Sequence, residues 1–252
     1  MIDSTKKQAN ILGCYIDLVN MQEAVESIGN IIANGVPGQI VTLNAEIIYR
    51  ARQEYELQQI INSARLVTPD GIGVVWAARS LGYQIKERVT GIDLLNRLCE
   101  LAAQKGWSIY LLGAAPGVAA AAGEKLIQQY PRLNISGIHD GYFSENEQDG
   151  IIEQIKALAP DILCVALGAP RQEYWIKENM ARLGVPVCIG VGGSFDVISG
   201  IKERAPEFMI KMNLEWLYRL VKEPTRIKRQ LALPRFALQV LKHKYLARGR
   251  DR

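Results

Sequence analysis

The sequence predicts an α/β protein in which a mostly parallel sheet carries helices on both faces and a basic helical appendage follows. Of its 252 residues, 48% are hydrophobic and 22% are charged, which is the balance of an ordinary soluble globular chain. Apolar runs bounded by turn residues alternate with helical periodicity over most of the chain. After about Arg204 no further strand-like run occurs. We therefore expect residues 1–203 to form an α/β core and residues 204–252 to form the appendage.

Five apolar runs have the length and the flanking turn residues of strands. Two of them, Asp161–Leu167 and Pro186–Val191, are apolar enough to be buried on both faces, as in a parallel sheet. Strands that alternate with helices favour a Rossmann-like layered domain with right-handed crossovers. The three earlier runs are Gln39–Leu43, Arg65–Thr68 and Trp107–Leu112.

Helices are predicted between these strands from periodicity and from capping residues. Ile47, Ala51 and Tyr55 are spaced four residues apart and predict one helix after the first strand. The segments Thr90-Gly-Ile-Asp93 and Ser144-Glu-Asn-Glu147 have the spacing of a capping box, so each predicts the start of a helix. An alanine-rich helix is expected after the third strand.

The appendage is predicted to be helical and basic. Residues Pro206 to Lys222 have the pattern of one helix, Pro224 interrupts it, and Pro234 starts a last helix. Residues 202–252 hold 14 Lys or Arg against 5 Asp or Glu, whereas residues 1–201 hold 16 against 21. This asymmetry predicts contact with an anionic partner, which is nucleic acid, a phosphate-bearing substrate or a membrane surface.

The last predicted helix carries apolar side chains on one side and basic side chains elsewhere. Leu233, Phe236, Val240 and Leu241 form the apolar side. A basic amphipathic helix of this kind suits an anionic membrane surface. The alternative is a helix that docks on the core and leaves its charges in solvent.

Disulfide, metal and secretory signatures are not found in the sequence. The 4 cysteines lie far apart in apolar segments, so we expect buried, reduced thiols in a cytoplasmic protein. There are 2 histidines and no Asp-x-Asp or His-x-x-x-His pair, so neither a metal site nor a bound cofactor is predicted. Residues 1–10 lack the apolar segment of a signal peptide.

Three turns that join a predicted strand to a helix are rich in glycine or proline. Helix N-termini present unpaired N–H groups, and glycines let a phosphate approach the backbone, so these turns favour a nucleotide or nucleotide-sugar. The alternative is that such turns hold glycine or proline for geometric reasons alone. The turns are Leu112–Gly117, Leu167–Gln172 and Gly190–Asp196.

Polar side chains follow the first two predicted strands. Asp70 ends the second of these strands and is placed to take a proton from a substrate hydroxyl, although Pro-Asp-Gly is also a routine turn. Thr42 and Asn44 end the preceding strand. Helix capping explains part of the choice of Asn44, and recognition of sugar hydroxyls is the remaining interpretation.

Three arginines of the appendage suit a diphosphate. Arg219, Arg226 and Arg229 would share a face if helix geometry persisted across Pro224. Guanidinium groups bind phosphates through paired hydrogen bonds, so these arginines would stabilise a departing diphosphate. A solvated basic face is the alternative.

Seven segments form an ordered set of motifs. They are Thr42-Leu-Asn-Ala-Glu46, Thr68-Pro-Asp-Gly-Ile-Gly73, Arg88-Val-Thr-Gly-Ile-Asp93, Gly168-Ala-Pro-Arg-Gln-Glu173, Gly190-Val-Gly-Gly-Ser-Phe-Asp196, Leu214-Glu-Trp-Leu-Tyr-Arg219 and Glu223-Pro-Thr-Arg226. Over about residues 10–230 they resemble the signatures of the WecG/TagA/CpsF glycosyltransferases.

The resemblance implies an activity and a place. Members of this family transfer an N-acetylmannosamine-type sugar from UDP to a polyprenyl-diphosphate-linked GlcNAc at the cytoplasmic face of the membrane. In TagA-like members this step builds the linkage unit of wall teichoic acid. The reaction that the resemblance implies is inverting and independent of metal, and the uronic acid of the same sugar is the alternative donor.

The resemblance also implies roles for particular residues. Asp70 becomes the base that activates the acceptor hydroxyl, and Thr42, Asn44, Arg88 and Gln172 lie around the reacting sugars. The diphosphate clamp consists of Arg219, Arg226 and Arg229.

The nucleotide is assigned mainly on chemical grounds. Gly113, Gly192 and Gly193 would allow close approach of the backbone, and the Asp196 carboxylate would accept hydrogen bonds from uracil or ribose. Tyr142 would stack on the uracil ring.

Two interpretations from other classes remain at this stage. A nicotinamide-dependent oxidoreductase would use the same glycines, but the chain lacks the Gly-x-Gly-x-x-Gly turn. A nucleic-acid-binding module would use the basic tail, but interleaved aromatic residues are missing there, so we predict no nucleic-acid partner. Homo-oligomerisation is left open.

Overall fold

A computed structural model describes residues 7–250, without the side chains of residues 226, 228, 229 and 247–250. At its centre is a six-stranded sheet with the strand order β4-β3-β8-β7-β5-β6, in which every neighbouring pair is parallel. A separate antiparallel hairpin is formed by β1 and β2. The strands are β1 Gln8–Ile11, β2 Cys14–Asp17, β3 Gly38–Leu43, β4 Leu66–Pro69, β5 Ser108–Gly113, β6 Asn134–His139, β7 Ile162–Ala166 and β8 Val187–Gly190.

Helices cover both faces of the sheet, which confirms the predicted layered α/β class. The helices of the core are α1 Met21–Asn34, α2 Ala45–Ala51, α3 Tyr55–Ser63, α4 Ile72–Ser80, α5 Gly91–Lys105, α6 Val118–Gln129, α7 Glu145–Leu158, α8 Arg171–Leu183 and α9 Ser194–Ile198. Those of the appendage are α10 Glu207–Lys211, α11 Glu215–Lys222, α12 Ile227–Gln230 and α13 Ala232–Arg250, with a 3-10 turn at Pro224–Arg226 before α12.

The core divides according to the alternation of side chains along the strands. On one face Ile109, Leu111 and their neighbours pack against α1, α5 and α6. On the other face Tyr110 and Leu112 pack against α7 and α8, while Val41 of β3 belongs to a cluster with α2, α4 and α13. All four cysteines are buried free thiols, as predicted.

The β1–β2 hairpin, which the sequence analysis missed, lies beside the edge strand β4. The Asp17 carboxylate accepts a hydrogen bond of 2.8 Å from the backbone N–H of Val67 in β4. This contact occupies part of an edge that would otherwise be unpaired.

Capping residues begin the helices where they were predicted. The Thr90 side chain accepts from the Asp93 N–H at the start of α5, and the Ser144 N–H donates to the Glu147 carboxylate over 2.7 Å at the start of α7.

Two predicted helices are each divided in the structure. The helix expected to run through Tyr55 ends at Ala51, and Tyr55 begins α3. The helix expected over residues 206–222 breaks between α10 and α11, where Asn213 has φ +61°. An asparagine tolerates this left-handed conformation but does not require it, so periodicity alone did not reveal the break.

The last helix docks on the core. Phe236 and Val240 are 2% and 0% exposed and belong to the cluster with α2 and α4, which confirms the docked alternative for these side chains. Leu241, predicted on the same side, is 38% exposed. In the part of the chain that the structure describes, no helix is both long and apolar enough to cross a membrane.

Candidate functional site

A cavity of about 350 Å³ lies beyond the carboxyl ends of β3, β4 and β8 and is roofed by the appendage. We call it the Asp70 cavity. Thr42 and Thr68 are paired in register in β3 and β4, so Asn44 and Asp70, two residues further along, follow adjacent strand ends. Its polar lining includes Thr42, Asn44, Asp70, Arg88, Gln172, Gly192, Gly193, Glu215 and Arg219.

Asp70 is held by backbone contacts at the junction of three segments. Its N–H donates to the Leu43 carbonyl over 2.9 Å, and its Oδ2 accepts from the Gly91 N–H over 3.5 Å at the start of α5. Gly71, with φ +96°, turns the chain directly into α4. The carboxyl group is thereby fixed at the wall of the cavity.

The environment of Asp70 makes it a stronger base than an exposed aspartate. Burial raises its pKa to about 6, against the opposing effects of Arg219, the Gly91 N–H and Arg88. The nearby Glu215 carboxylate adds to the rise. At neutral pH the group is largely ionised, yet it binds a proton more readily than an ordinary aspartate.

The structure brings Arg88 and Arg219 together although they come from different parts of the chain. Arg88 lies in the loop before α5, and its Nη2 donates to the Ile210 carbonyl over 3.3 Å. Arg219 lies on α11 of the appendage, and its Nη2 donates to Glu215 over 2.7 Å. Arg88 Nη1 is 3.5 Å from the other oxygen of the same carboxylate. Sequence reasoning gave Glu215 no role, because an acidic residue in a helical pattern is usually solvated.

Thr42 and Asn44 line the cavity but also have structural roles. The Thr42 hydroxyl donates to the Gly190 carbonyl over 3.2 Å, and Asn44 accepts from the Ile47 N–H over 3.0 Å as the N-cap of α2. The capping alternative is therefore confirmed for Asn44, and contact of either side chain with a sugar stays a prediction.

Gln172 organises the glycine turn after β8. It is 3% exposed, and its Oε1 accepts from the Gly192 N–H over 3.0 Å. Its Nε2 donates to Glu173 over 2.9 Å, and burial raises the pKa of that carboxyl. Because both the oxygen and the nitrogen of its amide are hydrogen-bonded, Gln172 fixes the glycine turn after β8.

A second depression of about 610 Å³ adjoins the Asp70 cavity. We call it the Tyr142 groove. Gly192 and Gly193 line both spaces, and Asp196 lines the groove with its Oδ2 3.6 Å from Lys202 Nζ. Tyr142 is 76% exposed at the rim, so its ring is free to stack on a planar ligand.

Gly113 is explained by strand packing. It is buried at the end of β5 with φ +125°, and a Cβ there would lie 2.6 Å from the Ala166 carbonyl carbon. Ala114 and Ala115 line the Tyr142 groove. A contact between Gly113 and a nucleotide stays a prediction.

The condition for a common helix face of the three arginines is not met. Helix α11 ends at Lys222, and Glu223 has φ −127° and ψ 78°, so helical geometry does not persist across Pro224. The side chains of Arg226 and Arg229 lie outside the described residues. Of the predicted clamp, the structure therefore places Arg219 in the cavity.

The chain is similar to a known protein family. The sequence profile of the WecG/TagA/CpsF glycosyl transferase family matches residues 9–250. The chain belongs to this family. Among the described residues there is no group of three or more His, Cys, Asp or Glu side chains placed to hold a metal ion.

Relatives within the WecG/TagA/CpsF family match nearly the whole chain. A protein of Bacillus subtilis strain 168 is 37% identical over 231 residues, which cover 92% of this chain and 86% of the relative. A protein of Bacillus spizizenii is 39% identical over 204 residues, covering 81% and 79%. A Staphylococcus aureus MW2 protein is 35% identical over 243 residues, covering 96% and 95%. Each is named N-acetylglucosaminyldiphosphoundecaprenol N-acetyl-beta-D-mannosaminyltransferase.

Proposed function

We propose that this protein transfers N-acetyl-β-D-mannosamine from UDP to undecaprenyl-diphosphate-linked GlcNAc. The observation that carries the proposal is the meeting of one raised-pKa carboxylate, Asp70, with Arg88 and Arg219 in a single cavity. A base and a pair of guanidinium groups are what an inverting sugar transfer needs. The name shared by the relatives supplies the acceptor and the sugar.

The transfer is a single in-line displacement. Asp70 takes the proton of the acceptor hydroxyl while the hydroxyl oxygen attacks the anomeric carbon of the donor sugar. The bond between that carbon and the β-phosphate oxygen of UDP breaks on the opposite face, and UDP leaves with the electron pair. Arg219 and Arg88 offset the charge that develops on the diphosphate. Inversion at the anomeric carbon follows from one displacement.

The donor nucleotide occupies the Tyr142 groove in this proposal. The groove and the Asp70 cavity meet at Gly192 and Gly193, so a diphosphate at the junction would place the sugar toward Asp70. Uracil would stack on Tyr142, and Asp196 would accept from uracil or ribose. The Gly192 N–H already donates to Gln172. In this proposal the Gly193 N–H is therefore the backbone donor at the junction.

The acceptor enters from the appendage side. Part of the cavity lining is apolar, with Trp216, Leu233 and Phe236 from the appendage beside Ile72 and Trp76 from α4, and this suits the lipid end of the acceptor. Docking of the appendage on an anionic membrane would bring this apolar part of the cavity close to the lipid.

A turnover assay tests the proposal. The full-length protein is incubated with a short-chain polyprenyl-diphosphate-GlcNAc and, in turn, with UDP-ManNAc, its uronic acid and UDP-GlcNAc. We expect the wild type to form a disaccharide product with UDP-ManNAc and the Asp70→Asn variant to form it at least about 10²-fold more slowly. Product formation with the uronic acid alone would overturn the proposed donor, and no product with any donor would overturn the proposed function.

A further inference from the structure

Helix α11 buries one residue, and that residue is a glutamate. Glu215 is 7% exposed, whereas Trp216 and Val221 on the same helix are 40% and 70% exposed. Taking a carboxylate out of water costs free energy unless the carboxylate is paired with a cation or hydrogen-bonded. Burial of Glu215 therefore indicates that specific partners hold it.

The partners of Glu215 are two arginines of the Asp70 cavity. One oxygen accepts from Arg219 Nη2 at 2.7 Å, and the other lies 3.5 Å from Arg88 Nη1. Arg88 belongs to the core and Arg219 to the appendage, so the carboxylate joins the two parts of the chain at the cavity. With Asp70 the four side chains carry two positive and two negative charges.

We propose that Glu215 is a positioning residue for sugar transfer: it holds Arg88 and Arg219 at the cavity and keeps Asp70 an effective base. This inference rests on the proposed function. Without the Glu215 charge the two guanidinium groups would lose the acceptor that orients them, and their effect on Asp70, which already lowers its pKa, would no longer be offset by a carboxylate on α11.

Among the described residues, four charged side chains line the Asp70 cavity besides Asp70 itself. Arg88 approaches from the loop before α5, Arg219 and Glu215 from α11, and Glu46 lines the cavity from α2. The Gly91 N–H approaches from the start of α5. The arginines and this N–H lower the pKa of Asp70, and Glu215 raises it. Neutralising Glu215 therefore lowers the pKa of Asp70 directly and through the two arginines that it releases.

The test compares three substitutions at one position with a matched control. Glu215→Gln removes the charge at nearly constant shape, Glu215→Ala removes the contacts as well, and Glu215→Asp keeps the charge. The control is Glu207→Gln on α10, where the side chain is 88% exposed and 3.7 Å from Lys211. The first readout is kcat/KM against pH.

In Glu215→Gln we expect the acid limb of this profile to move down by ~1 pH unit, because a charge beside Asp70 is lost. We expect kcat at pH 8 to fall about tenfold, a part of the 10²–10⁴ that a general base contributes. Glu215→Asp should keep the limb near that of the wild type, and Glu207→Gln should match the wild type throughout.

A second readout does not depend on activity. The Asp70 carboxyl carbon is followed by ¹³C NMR through a pH titration, and its signal is assigned by its loss in Asp70→Asn. The inference predicts a lower midpoint in Glu215→Gln than in wild type. If the Asp70 midpoint is unchanged in Glu215→Gln and turnover is reduced equally at every pH, Glu215 only docks the appendage. That result would overturn the inference. If the wild type transfers no sugar, the proposed function fails while the titration still decides the role of Glu215.

Discussion

At the scale of single residues, Asp70 combines a backbone-fixed position with a raised pKa. Asp70→Asn keeps the shape and removes the base, so we expect turnover to fall by ~10²–10⁴ while UDP binding persists. Turnover and calorimetric UDP binding would be measured on the same preparation. Asp149→Asn, in a side chain that is 72% exposed on α7, is the control. Near-wild-type turnover in a folded Asp70→Asn protein would remove Asp70 from the mechanism.

The pH dependence of the wild type follows from the same group. Asp70 must be ionised to accept a proton, and burial raises its pKa to about 6. Below that pH the carboxyl is increasingly protonated, so kcat/KM should fall about tenfold for each further pH unit. Above pH 7 the profile should be flat with respect to Asp70. A profile that stays flat from pH 5 to pH 8 would contradict the assignment.

At the scale of secondary-structure elements, α13 joins the appendage to the core. Phe236 is 2% exposed among α2 and α4, so Phe236→Ala leaves a cavity in an apolar cluster and should lower the free energy of unfolding by about 3 kcal/mol. Leu238→Ala, two residues away in a side chain that is 59% exposed, should change it by less than about 0.5 kcal/mol. Urea unfolding of both variants measures the difference. Equal effects would mean that α13 does not dock as described.

The same docking bears on the domain division predicted at residue 204. A chain that ends before α13 would lose the packing of that helix on α2 and α4, whose Ile48 and Val74 belong to the cluster that Phe236 joins. The division into a core of residues 1–203 and an appendage of residues 204–252 stays a prediction, and the apolar packing of α13 on the core argues against the independence of the two parts.

The sequence predicted the strands that are buried on both faces and missed the strands that are partly exposed. Strands β3, β4, β5, β7 and β8 were found because each is a short continuous apolar run. Strand β6 was missed, because Asn134, Ser136 and Gly137 interrupt its pattern at the edge of the sheet. The hairpin was missed because polar residues interrupt the apolar pattern of its four-residue strands, at Gln8 and Asn10 in β1 and at Asp17 in β2.

The candidate site was predictable in part for a related reason. Asp70 follows β4 and Thr42 lies near the carboxyl end of β3, and the carboxyl ends of parallel strands meet at one edge, so their proximity follows from the fold class. Arg219 was a candidate diphosphate ligand from its residue type and spacing, but the spacing left a solvated basic face as the alternative, and the resemblance to a family favoured the site. Glu215 could not be found, because burial of one side of α11 is decided by tertiary packing that helical spacing does not encode.

At the scale of the whole molecule, the proposed mechanism uses cationic side chains of this chain, and no metal ion, to meet the phosphates of the substrate. Arg88 and Arg219 line the Asp70 cavity, and the described residues hold no cluster of three metal-ligating side chains. We therefore expect turnover in the presence of EDTA to stay within about twofold of the untreated enzyme. Loss of activity that Mg²⁺ or Mn²⁺ restores would show that a metal takes part.

The appendage also concentrates the surface features that favour a membrane. Residues 202–252 carry 14 basic against 5 acidic residues. Of the 19 large apolar side chains exposed in the described part of the chain, ten belong to the appendage, among them Phe208, Met212, Leu238 and Leu246. An appendage rich in basic and exposed apolar groups suits an anionic bilayer, so docking of the appendage surface is expected to precede capture of the lipid-linked acceptor.

Charge reversal on α13 tests this arrangement without touching the cavity. In Lys242→Glu/Lys244→Glu each change removes an attraction of ~1 kcal/mol to anionic lipid and adds a repulsion, so binding to phosphatidylglycerol vesicles should weaken at least about tenfold. The matched control is Lys105→Glu/Lys156→Glu, which has the same charge change in the core. Vesicle sedimentation gives the binding, and turnover on a water-soluble acceptor analogue should stay at the wild-type level in both variants. Equal loss of vesicle binding in both would trace docking to net charge alone and contradict a role for this surface.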